Sequence, residues 1–180
     1  MKLKFFNLIE VTLAIAVVGV GISGIMSVFP VALSASRDAV GNNYSALIAD
    51  QFLSFASLMA SKDSENGKAW TDATTFIGGL TQTFSAIPTD EASAVDIASG
   101  TISQEYKMSQ GSAACTDFTA IVRIWKSPIT KMYVAGYTVD EVPYKYAAAV
   151  HVEVSWPSAI PYAQRQKRYY SIELYNTNPL

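Results

Sequence analysis

The sequence predicts an α+β fold in which one long N-terminal helix packs on a C-terminal antiparallel β-sheet. Three features carry this prediction. Residues 6–36 are predominantly apolar, apolar side chains then recur at three- and four-residue steps to about residue 60, and several segments between residues 102 and 176 alternate with period two. A helix with an apolar stripe and strands with an apolar face bury these surfaces against each other, which gives the α+β class.

The first part of the helix, residues 6–36, carries a single charged side chain, Glu10. From residue 11 to 36 no charge occurs for about 26 residues, which is roughly 39 Å of helix. The hydrocarbon core of a bilayer is about 30 Å thick, so the run is predicted to span a membrane. Lys2 and Lys4, in the short basic leader over residues 1–5, favour a cytoplasmic N-terminus.

Glu10 requires an explanation, because a charged side chain inside a membrane span is disfavoured by roughly 3 kcal/mol. Two interpretations stay open. The carboxylate lies at headgroup depth beside the leader lysines, or it pairs with a positive group as part of the function.

The globular domain is predicted over residues 37–180, and its first element continues the helix to about Ala60. Asp50, Gln51, Ser54 and Ser57 fall mostly off the apolar stripe. A polar segment ending in Gly67 then stops the helix. The stripe is predicted to be core, and it comprises Tyr44, Leu47, Ile48, Phe52, Phe55, Leu58 and Met59.

Residues 61–101 are predicted to be a variable loop that runs over the surface. Five apolar side chains there keep helical spacing, which predicts one short helix, although Gly78 and Gly79 weaken that prediction. The five are Ala73, Phe76, Ile77, Leu80 and Phe84.

The sheet is predicted over residues 102–176. Half-buried antiparallel strands are expected at residues 118–124, 148–154 and 170–174, from their alternation of apolar and polar side chains. A strand over residues 102–108 is expected to pair with the one starting at Phe118, across a turn at residues 109–117. Pro128 and Pro157 are predicted to end strands, because proline cannot donate to the ladder.

The N-terminal motif resembles the class III signal of type IV pilins and secretion-system pseudopilins. The resemblance rests on Phe6-Asn7-Leu8-Ile9-Glu10-Val11 after a short basic leader, followed by a long apolar run. It implies cleavage and N-methylation by a prepilin peptidase between Phe5 and Phe6, with residues 6–36 serving first as membrane anchor and then as filament core. The sequence departs from the family at Phe5, where a small residue, usually glycine, is the rule.

The resemblance also implies roles for other residues and partners. Glu10 would pair with the N-terminal amine of a neighbouring Phe6, and the region containing Gly19, Gly21, Gly24 and Pro30 would bend or lose helicity during assembly. The implied partners are other subunits of the same filament, an inner-membrane assembly platform and membrane lipid. The last two strands, separated by a basic loop, are similar to the final hairpin of minor pseudopilins.

Composition excludes several alternatives. The net charge is −2 and the 13 basic residues are scattered, so no nucleic-acid-binding surface is predicted. Cys115 is the only cysteine, which excludes an intramolecular disulfide, and we expect it to be a small buried hydrophobic side chain. The apolar run is too long for an ordinary secretory signal, although a cut after Ser34 remains conceivable.

No catalytic, metal or cofactor site is predicted. His151 and Glu153 share one strand face but lack a third ligand, so they are expected to lie on an exposed polar face. A Cys115–His151 nucleophile pair has no supporting signature. Gly78-Gly79 is not followed by the residues of a phosphate-binding loop. Solvated acids without calcium-loop spacing are Asp90, Glu91, Asp96, Asp140 and Glu141.

The sequence therefore favours a non-enzymatic, minor subunit of a type IV pilus or a type II secretion-type filament. A monomeric, single-span membrane-anchored binding domain outside the cytoplasm is the second hypothesis. A secreted hydrolase is the third, and it lacks an identifiable catalytic set.

Overall fold

The computed structural model describes residues 7–84, 87, 94–96, 105–112, 115–134 and 137–177. The chain divides into two compact units, Met1–Val40 and Gly41–Leu180. The predicted α+β class is confirmed, because one long N-terminal helix packs on a C-terminal antiparallel sheet.

Helix α1 runs from Leu8 to Glu65, five residues beyond the predicted end at Ala60. The polar segment after Ala60 continues the helix, and the chain leaves it only at Gly67, whose φ is 67°. The amide of Gly67 donates to the carbonyl of Ser64 at 3.1 Å, and the amide of Lys68 donates to that of Asp63 at 2.9 Å. These two bonds form a Schellman motif, in which glycine supplies the left-handed residue.

Small side chains form much of the buried face of α1. In the Gly41–Leu180 unit, α1 buries Gly41, Ser45, Ile48, Ala49, Phe52, Ala56, Ala60, Asp63 and Ser64. The predicted stripe is therefore only partly correct. Ile48 and Phe52 belong to the core, whereas Leu47, Phe55 and Leu58 are exposed. Tyr44 and Met59 are partly buried against the core. Small residues on the buried face permit a close approach of helix and sheet.

Gly41 shows this close approach directly. It is buried, and a Cβ built at this position would overlap the indole of Trp156 at the end of a strand. Further along the helix, the Ser45 hydroxyl lies 3.1 Å from the Tyr170 hydroxyl. The Phe52 and Tyr106 rings pack with their centroids 5.2 Å apart. Helix and sheet thus share one continuous core.

Helix α2, Phe76–Gly79, is shorter than the predicted helix of the variable loop. The Thr75 hydroxyl caps it by accepting from the amide of Gly78 at 3.0 Å. The buried carboxylate of Asp63, near the end of α1, accepts from the amide of Phe76 at 3.0 Å. The two helices are therefore joined directly.

The strands form two sheets. Their bounds are β1 Val95–Asp96, β2 Glu105–Ser112, β3 Cys115–Ser127, β4 Ile129–Val134, β5 Tyr137–Val142, β6 Ala147–Trp156 and β7 Gln166–Tyr175. Among the described strands, the larger sheet has the order β1-β2-β3-β6-β7, in which β1 pairs in parallel with β2 and the other pairs are antiparallel. A 3-10 helix, Tyr162–Gln164, precedes β7.

The three strands predicted from alternation are confirmed as β3, β6 and β7, and Pro128 and Pro157 follow the ends of two of them. The predicted turn over residues 109–117 is wrong. Strand β2 continues to Ser112 and β3 begins at Cys115, with a register shift between Gln110 and Gly111. The β4–β5 hairpin, which forms the second sheet, was not predicted.

One face of the larger sheet, the inner face, packs on α1. It carries apolar side chains of β3 and β6, including Phe118, Val122, Val150 and Val152. The opposite face, the outer face, carries alternating residues such as Arg123 and Glu153. The outer face was predicted to be solvated, yet much of it is buried.

Candidate functional site

The first candidate site is the exposed apolar surface of α1 over residues 7–40. Every side chain in this range is exposed, with Leu8 at 79% and Val20 at 76%. Among the described residues, α1 is the one helix long and apolar enough to cross a membrane, judged by length and composition. Soluble monomers rarely expose a contiguous apolar surface of this extent, so it requires lipid or protein around it.

Glu10 lies in the first turn of α1 and is exposed. The amides of Glu10 and Val11 both donate to the carbonyl of Asn7, at 2.9 and 3.2 Å. A carboxylate in the first turn is stabilised by the positive end of the helix dipole. The dipole of α1 therefore favours an acidic residue at position 10 even without a pairing group from a second chain.

The predicted processing residues Phe5 and Phe6 lie outside the described residues, as do Lys2 and Lys4. The pairing of Glu10 with the amine of Phe6 therefore stays a prediction.

Hydroxyl side chains in the apolar part of α1 bond to the helix's own backbone. Thr12 donates to the carbonyl of Ile9 at 2.9 Å, and Ser23 donates to that of Gly19 at 2.8 Å. Ser27 and Ser34 donate to carbonyls three residues earlier, at 2.8 and 2.9 Å. These bonds satisfy the donor of each hydroxyl without water, as a helix in hydrocarbon requires.

The residues predicted to cause a bend lie within an unbroken helix. Pro30 is inside α1, and its missing N–H leaves the carbonyl of Met26 without the usual donor four residues on. A Cβ added at Gly19, Gly21 or Gly24 would meet nothing within 4 Å. Packing inside the chain therefore does not demand glycine at these positions. A bend in the assembled form stays a prediction.

The apolar surface of α1 has a counterpart in the Gly41–Leu180 unit. Leu47, Phe55 and Leu58 are 50%, 44% and 66% exposed. Their spacing places them on one side of the helix, within about 80° of one another. The Phe55 ring contacts the Phe76 ring edge-on, with the centroids 5.5 Å apart, and the rest of this face of α1 stays exposed.

The second candidate site is a buried polar cluster on the outer face of the sheet. Arg123 on β3 and Glu153 on β6 occupy directly opposite register positions, and Arg123 Nη1 lies 3.5 Å from Glu153 Oε1. Both side chains are at most 1% exposed. The prediction of an exposed polar face at His151 and Glu153 is therefore wrong for Glu153. The sequence did contain an indication that Glu153 is buried. Arg123 alternates with apolar residues on another predicted strand and can serve as the partner that a buried carboxylate requires.

Tyrosines complete the cluster around Glu153. The Tyr162 hydroxyl donates to Glu153 Oε2 at 2.8 Å, and Tyr169 on β7 lies opposite Glu153 in the register. Burial raises the pKa of both tyrosine hydroxyls, and the neighbouring Glu153 carboxylate raises each further. Both tyrosines therefore stay neutral donors at physiological pH.

His151 is half-buried next to this cluster. Its Nε2 lies 2.7 Å from the Ser127 hydroxyl, and its ring stacks on Trp125 with the centroids 5.3 Å apart. Burial lowers the pKa of His151, which favours the neutral ring. His151 pairs with Trp125 in the register of β6 and β3. Cys115 precedes Trp125 by ten residues on β3, which is roughly 33 Å along the strand. That separation excludes the Cys115–His151 nucleophile pair.

Other candidates from the sequence are not assembled into a site. In the part of the chain that the structure describes, no group of three or more His, Cys, Asp or Glu residues could hold a metal ion. Glu141 is exposed, as predicted. Asp90 and Glu91 lie outside the described residues, and the side chains of Asp96, Asp140 and Cys115 are likewise not described. Gly78 and Gly79 lie within α2.

Comparison with protein families, with curated proteins and with solved structures found no match to this chain.

Proposed function

We propose that this chain is a structural subunit, minor rather than major, of a type IV pilus or type II secretion-type filament. It is held in the cytoplasmic membrane by α1, with the N-terminus inside and the globular unit outside. The observation that carries the proposal is the fully exposed apolar surface over residues 7–40, whose only charge before Arg37 is Glu10. Lipid can cover this surface before assembly, and neighbouring subunits can cover it afterwards.

Two further features support assembly over permanent anchoring. A plain anchor needs an apolar surface only where it contacts lipid, yet Leu47, Phe55 and Leu58 are also exposed in the Gly41–Leu180 unit. In addition, Gly19, Gly21 and Gly24 have open space around them, which allows a second helix to approach closely.

Glu10 provides register in this proposal. After cleavage before Phe6, the new amine of one subunit pairs with Glu10 of its neighbour. An ion pair leaving water together costs less than an unpaired charge, so only one axial arrangement of the helices is favoured. Apolar packing alone would allow several axial arrangements of the helices.

The test compares Glu10→Ala with Thr12→Ala, a change two residues further along the same helix, in cells that carry the assembly machinery. We expect both variants to insert in the membrane. Glu10→Ala should lower the fraction recovered in sheared filaments by about tenfold, which corresponds to an ion-pair coupling of about 1.5 kcal/mol. Mass spectrometry of the mature N-terminus should show N-methyl-Phe6.

Normal incorporation of Glu10→Ala would refute the role in register. An intact Met1 or Lys2, together with no recovery in filaments, would favour the monomeric anchored binding domain instead.

A further inference from the structure

Strand β7 lies at one edge of the larger sheet. Among the described strands it pairs with β6 alone, in one continuous register from Gln166 opposite Trp156 to Tyr175 opposite Ala147. The strand contains neither proline nor glycine. Proline, a β-bulge or a covering segment commonly protects an edge strand, because its unpaired backbone groups can pair with another chain. Within the described residues, β7 shows none of these three devices.

One hydrogen bond identifies the backbone groups of β7 that point away from β6. The amide of Asn176 donates to the carbonyl of Tyr146, the residue opposite it in the continued register, at 2.8 Å. Residues that bond to the opposite strand in this way alternate along an antiparallel pair, so the even-numbered residues of β7 bond to β6. The amides and carbonyls of the odd-numbered residues therefore point outward from the sheet edge. They belong to Lys167, Tyr169, Ser171, Glu173 and Tyr175.

The side chains along this edge are accessible on both faces of the sheet. On the outer face, Tyr169 is 59% exposed, and Ser171 and Glu173 are exposed as well. On the inner face, Tyr170 and Ile172 are only partly buried against the core. A strand added at this edge would bond to the outward amides and carbonyls and cover the apolar surface of these two side chains.

The charges of β7 limit which strand fits beside it. Lys167 lies near the start of β7 and Glu173 near its end, and both belong to the outer face. The Lys167 ammonium lies 3.9 Å from the centre of the Tyr162 ring on that face. Opposite charges attract and like charges repel when they face each other across an antiparallel pair. A fitting strand therefore has a basic residue opposite Glu173 and an acidic residue opposite Lys167.

A second copy of β7 would also meet this charge pattern, because Lys167 of each copy can lie opposite Glu173 of the other. Such a pair has a two-fold axis normal to the sheet, which reverses α1 in one copy relative to the other. Copies inserted in one membrane have α1 in the same direction. This exclusion of a second copy rests on the membrane orientation given under the proposed function, and it leaves a segment of a different protein as the occupant.

We propose that the edge of β7 binds an extended segment of a different protein as an added antiparallel β-strand. Main-chain hydrogen bonds to the outward amides and carbonyls provide the affinity. The charged pairs at Lys167 and Glu173 set the direction and register of the added strand. Apolar side chains of the segment lie on the inner face, beside Tyr170 and Ile172.

Amide hydrogen exchange on the full chain in detergent micelles tests this proposal, with the peptide TKVTVTVDT, blocked at both ends, as the probe. Antiparallel pairing places its lysine opposite Glu173 and its aspartate opposite Lys167. In the free chain, the amide of Ser171 should exchange faster than those of Tyr170 and Ile172, which bond to β6. Saturating peptide should slow exchange at Ser171 by about tenfold or more and leave Tyr170 and Ile172 protected.

Ser171→Pro and Ser171→Ala form a matched pair of variants. Proline removes one outward amide but no ladder bond to β6, whereas alanine keeps that amide. Ser171→Pro should weaken peptide binding by about tenfold, and Ser171→Ala should leave it unchanged.

Glu173→Lys changes an exposed side chain, so it keeps the test valid if Ser171→Pro does not fold. It should weaken binding by about three- to tenfold, because the peptide lysine then faces a like charge. The peptide TEVTVTVDT, with glutamate in place of that lysine, should restore binding to Glu173→Lys.

Four results would overturn the proposal. They are slow exchange at Ser171 in the free chain, no binding at about 1 mM peptide, unchanged binding by a folded Ser171→Pro, and no restored binding of TEVTVTVDT to Glu173→Lys. A dimer of the full chain joined through β7 would assign the edge to a second copy and overturn the choice of occupant. Filament incorporation of Glu10→Ala tests the proposed function separately, because that variant leaves β7 intact.

Discussion

Replacing Gly41 with leucine tests the contact between helix and sheet. A Cβ at Gly41 would overlap the Trp156 indole, which is 6% exposed and packs 6.0 Å from the Phe118 ring. Overpacking of a filled core costs about 1 to 3 kcal/mol, and four added carbon atoms place this change at the upper end. Leaving glycine in a helix returns about 1 kcal/mol. The net loss is therefore about 2 kcal/mol.

Thermal unfolding followed by circular dichroism measures this loss. A domain of this size shifts its midpoint by roughly 4 °C per kcal/mol, so Gly41→Leu should unfold about 8 °C below the wild type. Ser57→Leu is the control, because Ser57 is an exposed position of the same helix. It should stay within about 0.5 kcal/mol of the wild type. An unchanged midpoint for Gly41→Leu would refute the close approach of α1 to Trp156.

Two further predictions concern the outer face. Glu153→Leu leaves the buried Arg123 charge without its partner, so it should lower the free energy of unfolding of the globular unit by about 3 to 5 kcal/mol in a urea titration. Glu141→Leu, at an exposed position, is the control and should change that free energy little. Burial lowers the pKa of His151, so the unfolded state binds its proton more readily. The stability from neutral His151 is complete above its unfolded pKa, about 6.5, and is lost as the pH falls through the lower folded pKa. His151→Gln should weaken the acid-induced fall in midpoint below pH 6.5, and equal falls would contradict this.

The inner face could be predicted from the sequence because its apolar residues recur with a regular period along the helix and the strands. Period-two alternation located β3, β6 and β7, and helical spacing placed Ile48 and Phe52 in the core. The errors on α1 arose because Leu47 and Phe55 are apolar without being buried. Hydrophobicity alone cannot show that Gly41 and Ala49 lie in the contact between helix and sheet. Small residues occur there because they allow the two elements to approach closely.

The outer face could not be predicted because residues far apart in sequence cover it. Arg123 and Glu153 alternate with apolar neighbours and therefore resemble solvated residues until Phe84 and Tyr162 are placed above them. The β4–β5 hairpin did leave a signal. Its two β-rich runs are separated by only Ala135 and Gly136, a spacing typical of a tight hairpin.

In the proposed assembly, α1 moves from lipid into a bundle of helices, and the internal bonds of the Thr12 and Ser23 hydroxyls bear on that transfer. A hydroxyl donor already bonded to its own backbone makes no new bond on leaving lipid and breaks none on entering a protein bundle. Two polar groups of the described helix that still distinguish one environment from the other are Glu10 and the carbonyl of Met26, which lacks its usual donor because of Pro30. In such a helix, these two groups oppose sliding along the membrane normal at their own depths.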